Sequence, residues 1–329
     1  MIKLSYILKE SSETRDITKR VSKEINLTQA IDLIKQNCTE AVSLFNDSTT
    51  IGEGLYRGYG NDKHCFFTEP KTRERTGTNN LYNALITILP AWKDFPPRSN
   101  SLMFSNNSGV ARTYGTPYWL FPFDGANIAH CEQRDCWYSF KYADLRFGKQ
   151  GMAIDSMMNH FAGMVAESVL QTRLKKDTRS KWISKAGRHF TDREYTVANA
   201  QSFLKELQRI TPFVIKHCRN VVDVTGERHD ITFPICDDIL KNFKGDWTQY
   251  FDDLLNPEKN NMKRITVQEC ENIGVYVELW TDAKCIMVNP TADVGFYANG
   301  DRSVCGTFFK KNIQSAIGTG NLHLYGVKV

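Results

Sequence analysis

Between about residue 150 and residue 260 the chain reads as one helical pattern after another, and on both sides it reads as short strands. A sheet whose strands come from two separated stretches must close around whatever lies between them. The reading is therefore an α+β protein with a sheet-based core and a large helical insertion. Strand-rich sequence covers 51–145 and 262–329, which divides the chain into an N-terminal helical segment (1–50), a first core part (51–150), the insertion (151–260) and a second core part (261–329).

The local patterns carry this division. "NLTQAIDLIKQNCTEAVSLF", from Asn26 to Phe45, spaces its apolar residues as one amphipathic helix. "GLYRG", "HCFFTEP", "SLMFS" and "PYWLFPF" read as strands, "NNLYNALITIL" as a helix stopped by Pro90, and "NSGVARTYG" as one or two helical turns. Asp124-Gly125 reads as a hairpin-type turn returning into "ANIAHC". In the insertion, "MAIDSMMNHFAGMVAESVLQTRLKK" sets Ile154, Met158, Phe161, Val165 and Val169 at steps of three and four. "DREYTVANAQSFLKELQRI" and "CDDILKNFKGDWTQYFDDLL" continue as helix, and strands resume with "GVYVELW", "KCIMVNP" and "NLHLYGVKV".

Composition narrows the class. Apolar residues make up 41% of the 329, enough for a sizeable core. Forty-two basic against thirty-seven acidic residues leave a net charge of +5, which suits a polyanionic ligand without demanding one. Nine cysteines without a disulfide-like spacing predict reduced thiols and a cytoplasmic setting. The start, "MIKLSYILKESSETRD", carries Lys3 and Lys9 in its apolar part and does not read as a signal peptide, and no run approaches a membrane span.

Several chemistries are disfavoured. There is no Walker-type loop and no G-x-G-x-x-G after a strand, which argues against P-loop enzymes and Rossmann dehydrogenases. "HCEQRDC", His64-Cys65 and His217-Cys218 lack zinc-knuckle spacing, so no metal is expected. One segment points elsewhere. "RLKKDTRSKWISKAGR" holds seven basic residues, among them Lys175, Lys176, Arg179 and Lys181, with Trp182 in their midst. Such a run can follow a phosphate backbone and stack on a base, or it is a solvated link between helices.

Three separated pieces gain meaning in order: "LYRG" with Arg57-Gly58, "RSNSLMFSNNSGVARTYG" with Ser105, and "GVYVELWTDAKCIMV" with Glu278. Together they resemble the ADP-ribosyltransferase family of the Arg–Ser–Glu type. The layout, with "PPRSNS" and "PYWLFPFDGANIAHC", is also similar to uncharacterised proteins of tailed bacteriophages. The family's Ser-Thr-Ser reads Ser105-Asn106-Asn107 here, and Tyr276 stands where many members carry Glu or Gln.

That resemblance implies a core of two small packed sheets and a phage-encoded mono-ADP-ribosyltransferase. Such an enzyme, a glycosyltransferase, cleaves NAD as co-substrate and modifies a host protein or nucleic acid during host takeover. Arg57 would hold the pyrophosphate, Gly58 would let the nicotinamide approach the backbone, and Tyr59 or Tyr114 would stack on a ring. Ser105 would orient Glu278, whose charge would stabilise an oxocarbenium-like transition state. Glu271, in the literal Glu-x-Glu at Glu269–Glu271, is the second candidate for that carboxylate. Tyr276 together with the basic run at Lys175, Lys176, Arg179 and Lys181 would favour a nucleic-acid acceptor. The alternatives are a nucleic-acid-binding protein without activity and a structural or interaction protein.

Overall fold

A computed structural model describes residues 22–47, 54–60, 64–70, 80–132, 136–148, six helical residues between 157 and 164, 197–224, 232–274 and 277–289. The Lys175, Lys176, Arg179 and Lys181 run, Tyr276, the side chain of Glu271 and the expected last strand lie outside the described residues. The protein is α+β, with two antiparallel sheets and separate helices. Its residues group into two compact units, one of Met1–Arg73, Asn100–Arg134 and Arg264–Val329, the other of Glu74–Ser99 and Asp135–Lys263. The helical unit thus begins earlier than the expected boundary near 150 and also takes in the helix before the proline turn.

In the sheet unit, the strands are β1 (Ser22–Ile25), β2 (Tyr56–Tyr59), β3 (Cys65–Thr68), β4 (Leu102–Phe104), β5 (Thr116–Pro122), β6 (Ile128–His130), β7 (Lys263–Ile265), β8 (Leu279–Thr281) and β9 (Cys285–Val288). The larger sheet runs β1-β3-β9-β5-β2 and the smaller β4-β8-β6-β7. β9 is the middle strand of the larger sheet and all four of its residues are buried, so its sequence is a continuous apolar run without alternation. A single core joins both sheets, with Leu120, Phe121, Ile286 and Met287 from one and Phe104, Ile128 and Leu279 from the other.

Three features depart from the sequence reading. The segment before residue 50 is not only helical, because β1 pairs antiparallel with β3, Ser22 opposite Thr68. The following helix is two helices, α1 (Leu27–Asn37) and α2 (Thr39–Asp47), divided at Cys38. α1 starts on a capping box in which the Asn26 side-chain oxygen Oδ1 accepts from the Gln29 N–H at 2.8 Å and the Gln29 side-chain oxygen accepts from the Asn26 N–H at 3.1 Å. The Asp124-Gly125 turn is also not a hairpin turn, since β5 belongs to the larger sheet and β6 to the smaller. It carries the chain from one sheet to the other. Its aspartate accepts from Thr39 Oγ1 and the Glu40 N–H at 3.0 and 2.9 Å, satisfying donors at the start of α2.

In the helical unit, α3 (Asn80–Ile88) packs on α6 (Val197–Arg209), and α7 (Thr211–Val224) packs on α8 (Thr232–Asn242). α5 (Lys141–Phe147) lies against α8, and α9 (Trp247–Leu254) against α6. The stretch read as one helix from Cys236 to Leu255 is α8 and α9, parted at Gly245, whose φ of +99° favours glycine. Asp246 then caps α9, accepting from the Gln249 N–H at 3.1 Å. No helix among the described residues is long and apolar enough to cross a membrane.

Candidate functional site

The two sheets meet where β2 and the end of β4 exchange backbone bonds: Tyr56 N–H to the Ser105 carbonyl at 2.7 Å, and Ser105 N–H to the Tyr56 carbonyl at 2.9 Å. Arg57 and Ser105 become neighbours through this bridge, although they come from different sheets. β4 also pairs with β8, Phe104 opposite Leu279, which brings Glu278 beside Ser105. The three candidate residues therefore converge at the junction of the sheets.

Ser105 is buried, and its hydroxyl works in two directions. Oγ donates to the Val277 carbonyl at 3.0 Å and accepts from the Asn107 N–H at 3.2 Å. The first bond fixes the peptide leading into Glu278, so the serine positions the carboxylate through its backbone. The Glu278 carbonyl in turn accepts from the Cys131 N–H at 3.2 Å. The two asparagines have their own tasks. Asn106 Nδ2 donates to the Gly274 carbonyl at 3.0 Å, tethering the segment ahead of Glu278, and Asn107 caps α4 (Ser108–Arg112) by accepting from the Val110 N–H at 3.1 Å.

Arg57 is half-buried, and its Nη1 donates to the Met103 carbonyl, which sets the plane of the guanidinium. Nε is buried without a hydrogen-bond partner among the described residues. An unsatisfied buried donor on a cation is a place for an incoming acceptor. Burial pulls the Arg57 pKa below its ordinary value, and the negative charge of Glu278 acts in the opposite direction, as do the phenols of Tyr114 and Tyr59. Glu278 is half-buried, so a carboxylate and a guanidinium share a partly desolvated site.

The glycine beside the arginine serves α4. A Cβ on Gly58 would lie 1.9 Å from the Ala111 carbonyl oxygen and 2.8 Å from Tyr114 Cβ. Gly115, at φ +132°, approaches the Tyr59 backbone in the same way. Both glycines let the short helix sit directly on β2, which brings Tyr114 near Arg57. Tyr114 is 62% exposed. Tyr59, by contrast, is buried edge-on to Phe66 and Tyr118, with centroids at 5.0 and 5.9 Å, and its phenol pKa is raised by that burial.

Of the neighbouring acids, Glu269 is exposed and accepts from the Thr266 N–H at 2.7 Å and Thr266 Oγ1 at 3.0 Å. Those bonds hold its carboxyl below the usual range. It lies in the 3-10 turn Gln268–Asn272, as does Glu271. The contributions of Asn106 and Met103 were not legible beforehand, because Asn106 acts on a backbone carbonyl distant in sequence and Met103 is an apolar residue lending its carbonyl, whereas the Asn107 cap is local to its own helix. Comparison of the chain with protein-family models, curated proteins and solved structures finds no match in any of the three.

Proposed function

We propose that the protein is a mono-ADP-ribosyltransferase using NAD as co-substrate and transferring ADP-ribose to a host macromolecule, nucleic acid or protein. The reading is carried by the convergence of Arg57, Ser105 and Glu278 at the sheet junction, with the Ser105 hydroxyl bound to the peptide before Glu278. Cleaving NAD sends the electron pair of the ribose C1′–N bond to nicotinamide and leaves positive charge on the sugar. A fixed carboxylate stabilises that charge as it develops. Arg57 supplies the cation for the pyrophosphate, with Nε as its open donor, and Tyr114 the exposed ring for stacking. The acceptor's nucleophile then bonds to C1′ and loses its proton to solvent.

The test is incubation with labelled NAD and host lysate, with nuclease and protease arms that report the acceptor, alongside a nicotinamide-release assay. Wild-type protein is expected to label a target or release nicotinamide, and Glu278→Gln to lower the rate by about 10²-fold or more while remaining folded. Neither label transfer nor nicotinamide release from the wild type would overturn the proposal. Full activity in Glu278→Gln with loss in Glu271→Gln would move the carboxylate role to Glu271.

A further inference from the structure

The helical unit holds a second cluster of chemically capable side chains, distinct in sequence and element from the sheet junction. His217 and Cys218 lie on α7, Cys236 on the adjacent α8, and His160 on the helical residues between 157 and 164. The ligand atoms of His160, His217 and Cys236 all lie within 4.8 Å of one another. His160 Nε2 is 3.8 Å from Cys236 Sγ. Tetrahedral zinc, with bonds of about 2.3 Å to sulfur and about 2.0 Å to nitrogen, places such a pair roughly 3.6 Å apart. The imidazole rings of His160 and His217 are 5.6 Å apart and tilted by 45°, neither stacked nor edge-on. His217 Nε2 is buried without a hydrogen-bond partner among the described residues. A buried ring nitrogen in that state calls for an explanation, and an ion among the three groups supplies one.

We propose that His160, His217 and Cys236 form a zinc site, with Cys218 outside the coordination shell as a hydrogen-bond partner of the Cys236 sulfur. The ligand set selects the metal. Two imidazoles and one thiolate suit zinc and exclude the hard oxygen-seeking cations. Cys236 and Cys218 are both fully buried free thiols, their side chains within hydrogen-bonding reach of each other. Consecutive helical residues point about 100° apart, which keeps His217 and Cys218 from reaching one ion together. The fourth position is left to water or a small ligand, and binding releases the Cys236 proton as the Zn–S bond forms. The three ligands come from separate helical segments, so the site braces α7 and α8 and has no local spacing motif to announce it.

The experiment uses the full chain, purified under a phosphine reductant, stripped with chelator and titrated with Co(II) and then with Zn(II). Stoichiometric Co(II) binding with a thiolate-to-cobalt charge-transfer band, displaced by zinc, is expected. The band should survive Cys218→Ser and vanish in Cys236→Ser and in His217→Gln. Circular dichroism reports whether each variant is folded, and His217→Gln decides if Cys236→Ser is not. Wild-type protein that gives no thiolate band, or a band that persists in His217→Gln, overturns the site. Loss of the band in Cys218→Ser overturns the three-ligand assignment.

Discussion

A guanidinium that already gives one donor to a backbone carbonyl has its orientation fixed before any ligand arrives. Arg57 is in that condition, with Nη1 on Met103 and Nε open. Its environment depends on a missing methyl group. Gly58→Ala would drive a Cβ into the Ala111 carbonyl, and backbone cannot turn aside as a side chain does. The substitution is expected to cost about 1–3 kcal/mol, read as a lower urea midpoint, and to abolish the proposed NAD-dependent activity even where the protein stays folded. Ala111→Gly should not restore it, since the clashing atom is an oxygen of the main chain. Ser105 acts at one remove. Ser105→Ala removes the bonds to Val277 and Asn107 and loosens the peptide leading to Glu278. For the proposed NAD cleavage, kcat is expected to fall by roughly 10²-fold with KM nearly unchanged, and Ser105→Thr to recover part of the loss. A rise in KM alone would assign Ser105 to binding.

At the scale of elements, the helical unit shows what a buried charge does for packing. Arg146 on α5 donates from Nε to Asp238 Oδ1 on α8 at 2.7 Å and from Nη1 to Asp253 on α9 at 2.9 Å, while Tyr250 donates to Asp238 Oδ2 at 2.6 Å. Three helices are tied through one carboxylate that is 4% exposed. Asp238→Ala leaves the phenol without its acceptor and the guanidinium with only the half-buried Asp253, and should lower stability by about 3 kcal/mol, measured by denaturant unfolding. Arg146→Met combined with Asp238→Leu should recover much of that, because no charge is then left unpaired. Such ties are invisible in the sequence, where Arg146 and Asp238 are only two charges among many. What could be read was periodic or punctuated: β9 from its apolar run, α3 from Pro90, and the order of Arg57, Ser105 and Glu278 from their strand contexts. β1 was missed because four residues at a sheet edge give too short an alternation, and its partner β3 is distant in sequence. α7 lies within the stretch read as helical but was not delimited there; its Pro212 is tolerated because proline at the second helical position removes only an N–H that has no intrahelical partner. The sheet-to-sheet passage at Asp124-Gly125 was misread because turn chemistry is the same whether the strands it joins pair or part.

For the whole molecule the distribution of thiols sets a limit on the alkaline side. All eight cysteines among the described residues are buried and unbridged. In the sheet unit, burial pushes Cys38, Cys65 and Cys270 from a usual value near 9 up to about 12, with Asp124 adding to Cys38 and Glu269 to Cys270. Below pH 9 these thiols are protonated in folded and unfolded chains alike, so their contribution is fully present. Above it the unfolded chain releases protons that the folded chain retains, and stability falls as pH rises because the unfolded state binds fewer protons. The decline should run from about pH 9 to about pH 12, seen as a falling urea midpoint in reduced protein. Lysines and tyrosines titrate in the same window, so the thiol part is isolated by comparison with Cys65→Val, which keeps an apolar group in a fully buried position on β3. The variant's stability should decline less steeply than the wild type's. Parallel curves for the two proteins would mean that Cys65 ionises as readily folded as unfolded, and that water reaches a strand the structure buries.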